Sequence, residues 1–288
     1  MSVPVDELFA RRPPWRHGPA ADRWVQLGLA PGRAPHRELH TELAALVRDW
    51  RDRRIVEDFF FMHKPPGLRV RFAPTPGRAA FVRSELNRLV PAWRADGLVG
   101  GAEPGTYVPE THRFGGAAAM DHVHRLFTAD ATTWLDRHAL ACPAPAWALS
   151  LAMLRPVLDG LGLLGAEREV WAGVAAAGRL VPPDVERTPA DEDLRRDLRR
   201  RWRHPDELLA ALPDEDRALA ERHAAEVTPL APAWAAAVID ETGDVRALPE
   251  AAAWYVVFHW NRATLGFGRQ AMLTEALLAG ERVHGDAC

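Results

Sequence analysis

Two arginines separated by a single residue, Arg69 and Arg71, lie in an alternating stretch, Gly67-Leu68-Arg69-Val70-Arg71-Phe72. Alternate side chains of a strand share a face, so the two guanidiniums project together. They repel unless something anionic or strongly polar sits between them. That is either carboxylates on a surface strand or the oxygens of a ligand gripped bidentately. A second segment, Tyr107-Val108-Pro109-Glu110-Thr111-His112-Arg113-Phe114, precedes a Gly115-Gly116 turn. It packs a phenol, an acid, an imidazole and a cation into a few residues, the ingredients of proton transfer and charge stabilisation. A Glu–Arg pair there can equally be structural. The third segment, His259-Trp260-Asn261-Arg262, follows an apolar run, where buried polar groups require partners.

Several other signals point away from common chemistries. Gly160-Leu161-Gly162-Leu163-Leu164-Gly165 fits the dinucleotide pattern, which needs a strand before it and a helix after it. The preceding residues read as a helix, so a helix–helix turn is expected. His36 and His40 are spaced i, i+4 on a helix, and His122 and His124 stand two apart. Neither pair shows a third ligand, so hydrogen-bonded or solvated histidines are expected and no metal site. Lys64 is the only lysine among 36 basic residues. A phosphate loop and a Schiff-base enzyme both need a lysine, and the neighbours of Lys64 fit neither. Cys142 and Cys288 have no Cys-x-x-Cys partner, which speaks against a disulfide framework or a cysteine zinc site.

The elements that must position these residues follow from periodicity. Trp24–Leu29 reads as a strand after an irregular lead-in over residues 1–20. Asp58–Phe72 reads as a hairpin with its loop at Lys64–Gly67, flanked by helices over 36–53 and 79–96, with Pro91 as a kink point. Leu98–Pro109 reads as extended, and Ala118–His138 as a helix with a candidate break near Asp130. Helical periods then recur at Pro145–Leu158, Ala166–Ala177, Asp191–Arg203, Asp214–Val227 and Pro232–Ile239. Aromatic-rich Trp254–Arg262 runs into Leu265–Leu278. Strands first and helices later indicate an α+β fold: one domain over residues 1–288, with an antiparallel sheet in the N-terminal half and a mostly helical C-terminal half.

Apolar residues make up 48% of the 288, enough for a sizeable core, and the net charge of −3 favours neither nucleic acid nor an anionic membrane. No apolar run reaches signal-peptide or membrane-span length, so a cytoplasmic protein is expected. The Asp191–Arg203 run places acids first and arginines last, complementing a helix dipole. It reads as a solvated face, or as a surface whose Arg195 and Arg199 attract an acidic peptide.

Taken in order, these segments resemble the C-terminal elimination domain of class I lantibiotic dehydratases. FFFMHKPPGLRVRF is similar to that family's aromatic strand followed by His-Leu-Arg-x-Arg-Phe. YVPETHRFGG is similar to its Tyr-x-x-Glu-x-x-Arg-Tyr-Gly-Gly. MDHVHRLFTAD resembles its helix ending in Phe-x-x-Asp-Ser, and FHWNR its His-Met-x-x-Asn-Arg. The resemblance runs from about residue 20 to residue 280. The family also contains free-standing thiopeptide enzymes. Some eliminate glutamate from glutamylated Ser or Thr; others fuse two dehydroalanines in a formal [4+2] aza-cycloaddition and expel the leader peptide.

By position, the resemblance carries a pocket role to Arg69, Arg71, Glu110 and Arg113. Gly67, Phe114 and Ala131 depart from the pattern, and the histidine implicated in elimination falls on Val257, with His259 two residues away. Elimination needs a base for the α-proton, so this loss, with no glutamylation domain in the chain, directs the reading to a pyridine synthase. Its implied catalytic set is Arg69, Arg71, Glu110, Arg113 and His259. Tyr107, His112, Phe114, Asn261 and Arg262 would bind substrate, a leader-bearing dehydrated peptide, with no cofactor and with other pathway enzymes as partners. Glutamate elimination and a non-catalytic leader-binding role are the alternatives.

Overall fold

The computed structural model describes residues 23–180 and 189–279. The lead-in expected over 1–20 and Cys288 lie outside the described residues. The described residues form two compact units, those within 1–110 together with 123–143, and those within 111–122 together with 144–288.

The first unit is built on a four-stranded antiparallel sheet of β1 (Val25–Pro31), β2 (Val56–Lys64), β3 (Gly67–Pro74) and β4 (Val99–Gly105), in the order β2-β3-β1-β4. The expected hairpin is β2–β3, with Phe60 opposite Arg71 and Lys64 opposite Gly67 at the turn. Strands β3 and β1 pair so that Arg71 stands against Gln26 and Val70 against Leu27. Helices α1 (His36–Asp52) and α2 (Ala79–Ala95) bury Leu43, Val47 and Trp50, and Val82, Leu86 and Trp93, at helical spacing. Trp50 meets Phe72 edge-on at 5.2 Å, which identifies the face of the sheet that α1 covers. Helix α2 continues through Pro91.

Helix α3 (Ala117–Ala139) passes Asp130 without interruption; that residue is fully buried inside the fold. Its portion within the first unit covers the edge strand β2. Thr128 Oγ1 accepts the Phe59 N–H at 3.0 Å, and its own hydrogen has Asp58 Oδ1 and the His124 carbonyl within reach. An otherwise open edge donor is thereby satisfied.

The second unit is helical. Its elements are α4 (Ala146–Gly160), α5 (Glu167–Ala176), α6 (Pro189–Arg203), α7 (Pro205–Ala210), α8 (Asp214–Val227), α9 (Ala231–Thr242), α10 (Ala247–Arg262) and α11 (Phe267–Leu278). The glycine-rich stretch is a helix–turn–helix between α4 and α5, with Gly162 and Gly165 at positive φ, and not a strand-to-helix phosphate loop. Helix α10 is buried almost all round and forms the axis of this unit. Among the described residues, no helix is long and apolar enough to cross a membrane. The α+β class expected from the sequence is the class observed.

Candidate functional site

The sheet register explains how the first unit presents Arg71. Gln26 and Phe60 oppose it on the two neighbouring strands, so all three share one face. Arg71 Nε donates to Gln26 Oε1 at 2.7 Å. Its guanidinium carbon lies 4.8 Å from the Phe60 ring centroid and 4.7 Å from that of Tyr107, both within cation–π range. The residue is only 7% exposed. Arg69 occupies the same face two residues earlier, is half-buried, and donates to the Pro65 carbonyl at 3.0 Å. The two arginines do share a face, and their partners include an amide, a carbonyl and aromatic rings.

Behind the guanidinium, the Tyr107 hydroxyl and His124 Nε2 are 2.9 Å apart. Trp24 packs on both rings, 5.3 Å from Tyr107 and 4.6 Å from His124, and Phe60 completes the enclosure. Burial pushes the His124 pKa down to about 3, and the positive charges of Arg23 and Arg71 push the same way. Burial also raises the Tyr107 phenol well above its ordinary value. The Arg71 charge opposes this rise and the Glu110 charge adds to it. At neutral pH the pair is therefore an uncharged phenol bonded to an uncharged imidazole. Such a pair passes a proton without creating a buried ion at rest. Glu110 is half-buried near Tyr107.

His124 was weighed in the sequence only as half of a possible ligand pair. The helical spacing that places it beside Phe127 on the face toward Phe60 is the signal that could have marked it.

The second unit holds the other candidates. Arg113 lies in a short 3-10 turn, Thr111–Arg113, with its guanidinium carbon 3.8 Å from the Trp254 ring centroid. His112 beside it is exposed. Phe114 is fully buried edge-on against Phe258, and its carbonyl accepts the Trp234 indole N–H at 3.2 Å. The Gly115-Gly116 turn is obligatory. Both residues have positive φ, and a Cβ on Gly115 would come within 2.5 Å of Val238 Cγ2. Glu241 then accepts the Ala117 and Ala118 N–H groups that open α3.

His259 has 0% exposure. Its Nε2 is 2.8 Å from Ser150 Oγ, which also accepts the Trp260 indole N–H at 3.0 Å. That cluster ties α10 to α4. Arg262 is fully buried as well, while Asn261 is half-buried. Arg195 is buried between Glu192 (3.0 Å) and Glu275 (3.1 Å). With the half-buried Arg199 it lines an open surface depression of about 470 Å³. The sequence-predicted residues thus fall into both units: Arg71 and Tyr107 belong to a buried polar cluster in the first, whereas His259 and Arg195 act as internal ties in the second.

Over residues 24–279 the sequence matches the profile of the family described as lantibiotic biosynthesis dehydratase C-term. The fold is similar to that of the tRNA-dependent lantibiotic dehydratase MibB from Microbispora sp. 107891. The TM-score is 0.67 at 20% identity, over 92% of this chain and 28% of that one. It is also similar to TsrL, with a TM-score of 0.50 at 16% identity, over 88% of this chain and 93% of that one. The chain spans 28% of the length of MibB. No curated protein sequence matches it.

Proposed function

The chain belongs to the lantibiotic biosynthesis dehydratase C-terminal family, and from that premise we propose that it modifies a ribosomally made, leader-bearing peptide by formal [4+2] aza-cycloaddition of two dehydroalanines. The observation that carries this reading is the buried Arg71 guanidinium backed by the neutral Tyr107–His124 pair. Pyridine formation begins with a tautomerisation: the amide next to one dehydroalanine gives up its N–H proton and its oxygen takes one up. Arg71, assisted by Arg69, polarises that oxygen. Tyr107 delivers and retrieves the proton, with His124 as the group behind it and Glu110 adjusting the phenol.

Two carbon–carbon bonds then close the six-membered ring on the second dehydroalanine. Water leaves from the carbon that carried the amide oxygen. The leader departs as a carboxamide, and the ring is aromatic with no oxidant required. Holding the two alkenes at reacting distance supplies much of the acceleration as effective molarity. In the second unit, exposed His112 and half-buried Arg113 and Asn261 are groups suited to peptide contact. His259, with no exposed surface, is assigned to bracing α10, and the proton role passes to Tyr107. Phe114 and Arg262 likewise act from the interior.

Mass spectrometry on a synthetic leader-bearing peptide with two dehydroalanines tests the proposal. Loss of water together with a released leader amide is the expected result. Glutamate loss from a glutamylated peptide, with no change in the bis-dehydroalanine substrate, would make the protein an eliminase. Binding of both peptides without any mass change would leave it a leader-binding partner.

A further inference from the structure

We propose that His40, His63 and His138 form a site for a zinc-type divalent metal ion, on the face of the sheet opposite Arg71. The three residues come from α1, β2 and the last turn of α3, all within the first unit. One ring nitrogen from each lies within 4.8 Å of the others. Three imidazole nitrogens bound tetrahedrally to one zinc sit about 3.4 Å apart, so the site closes with side-chain movements of about an ångström. His63 and His138 are half-buried.

The anchoring ligand is already set. His40 is 5% exposed, and its Nδ1 is 2.7 Å from the His36 carbonyl. A carbonyl only accepts, so Nδ1 carries the proton and Nε2 carries the lone pair. Metal-bound histidines are oriented in the same way, by an N–H donated to a backbone carbonyl. His40 Nε2 is buried and has no hydrogen-bond partner. An acceptor left bare in a protein interior costs free energy, and a metal ion removes that cost.

The three rings are not stacked. The His40 and His138 centroids are 4.7 Å apart at 47°, and those of His63 and His138 are 5.8 Å apart at 88°. Phe61 and Trp134 wall the cluster, with centroids 5.5 Å from His63 and 5.8 Å from His138. An all-imidazole donor set suits zinc, copper or nickel rather than magnesium or calcium. Three protein ligands on a half-open rim leave a fourth position for water.

Strand alternation separates this site from the arginine cluster. Phe60 shares a face with Arg71, whereas Phe61 and His63 point to the other side. The ion would therefore fasten two helices to the edge strand rather than contact a peptide held at Arg71. The i, i+4 histidine pair noted in the sequence contributes one ligand, His40, and one carbonyl, from His36. The missing ligands come from distant segments that only the fold assembles.

The test uses the full, tag-free chain, stripped with a chelator and titrated with Zn(II) by calorimetry and with Co(II) by visible absorption. One ion per chain is expected, with d–d bands of a four-coordinate cobalt site and a zinc-dependent rise in Tm of about 3 °C or more. His63→Gln and His138→Gln should each weaken zinc binding at least about tenfold while keeping the wild-type circular dichroism. Arg71→Ala should bind zinc as wild type does. Absence of stoichiometric binding by the parent chain, or unchanged affinity in both glutamine variants, overturns the site.

Discussion

Arg71 on β3 and His259 on α10 were equally prominent in the sequence, and their surroundings differ in kind. Arg71 projects from one face of a strand into a ring-lined cluster, with Gln26 on one side and Tyr107 with His124 behind. His259 projects from a helix buried on nearly every side and ends on Ser150, whose hydroxyl oxygen also accepts the Trp260 indole N–H. A strand can keep one face for chemistry while the other builds the core. A helix at the axis of a bundle has no face to spare, and its polar residues must satisfy one another.

The comparison can be broken by substitution. Arg71→Ala should lower the rate of the modification by about 10³-fold, roughly 4 kcal/mol of barrier, if it stabilises developing oxyanion charge. Leader-peptide affinity, measured alongside by calorimetry, should hardly move; equal losses in rate and affinity would reduce Arg71 to a binding residue. Tyr107→Phe keeps the ring under the guanidinium and removes only the hydroxyl, and a loss of about 10²-fold in turnover is expected. A phenylalanine variant with full activity would remove Tyr107 from the proton path.

His259→Ala should act on the other side of the contrast. It leaves Ser150 short of a partner and opens a hole beside Trp260, costing about 2 kcal/mol in urea denaturation. Turnover per folded molecule should stay near wild type. A large drop in turnover at unchanged stability would return His259 to the chemistry.

The smallest expected effect is on pH dependence. The folded-state pKa of His124 is lowered, to about 3 from an ordinary 6.5. The unfolded chain therefore binds a proton that the folded chain refuses, and the stability associated with the neutral ring is lost as pH falls below about 6.5. Between pH 6.5 and 5.5 this amounts to about 1 kcal/mol. Thermal melts of His124→Gln should show a flatter acid limb than the parent over that interval. Parallel limbs would mean that His124 is not the buried neutral group.

Much of the frame was legible in the residues. The hairpin at Asp58–Phe72, the helices over 36–53 and 214–227, and the helix–turn–helix reading of GLGLLG all rest on short-range rules: alternation, 3.6-residue periodicity and glycine turns. Those rules operate within a few residues, so one chain segment contains the whole signal. The shared face of Arg69 and Arg71 was legible for the same reason. The role of His124 was not, because it depends on Tyr107 and Trp24 meeting it from other elements. Asp191–Arg203 had the charge order of a helix, as observed, but nothing in the run says that Arg195 closes on Glu275.

The sequence by itself determined the α+β class, the family and the residue types available for chemistry, since each is encoded by local pattern or by ordered short motifs. Only the tertiary structure decided which of those residues are neutral, which are braces and which converge. Strand register set Gln26 against Arg71, and helix packing left His259 with no solvent. The packing of α1 and α3 against β2 drew His40, His63 and His138 together. Protonation and ligand geometry depend on atoms within a few ångströms in space, and here those atoms come from residues far apart along the chain.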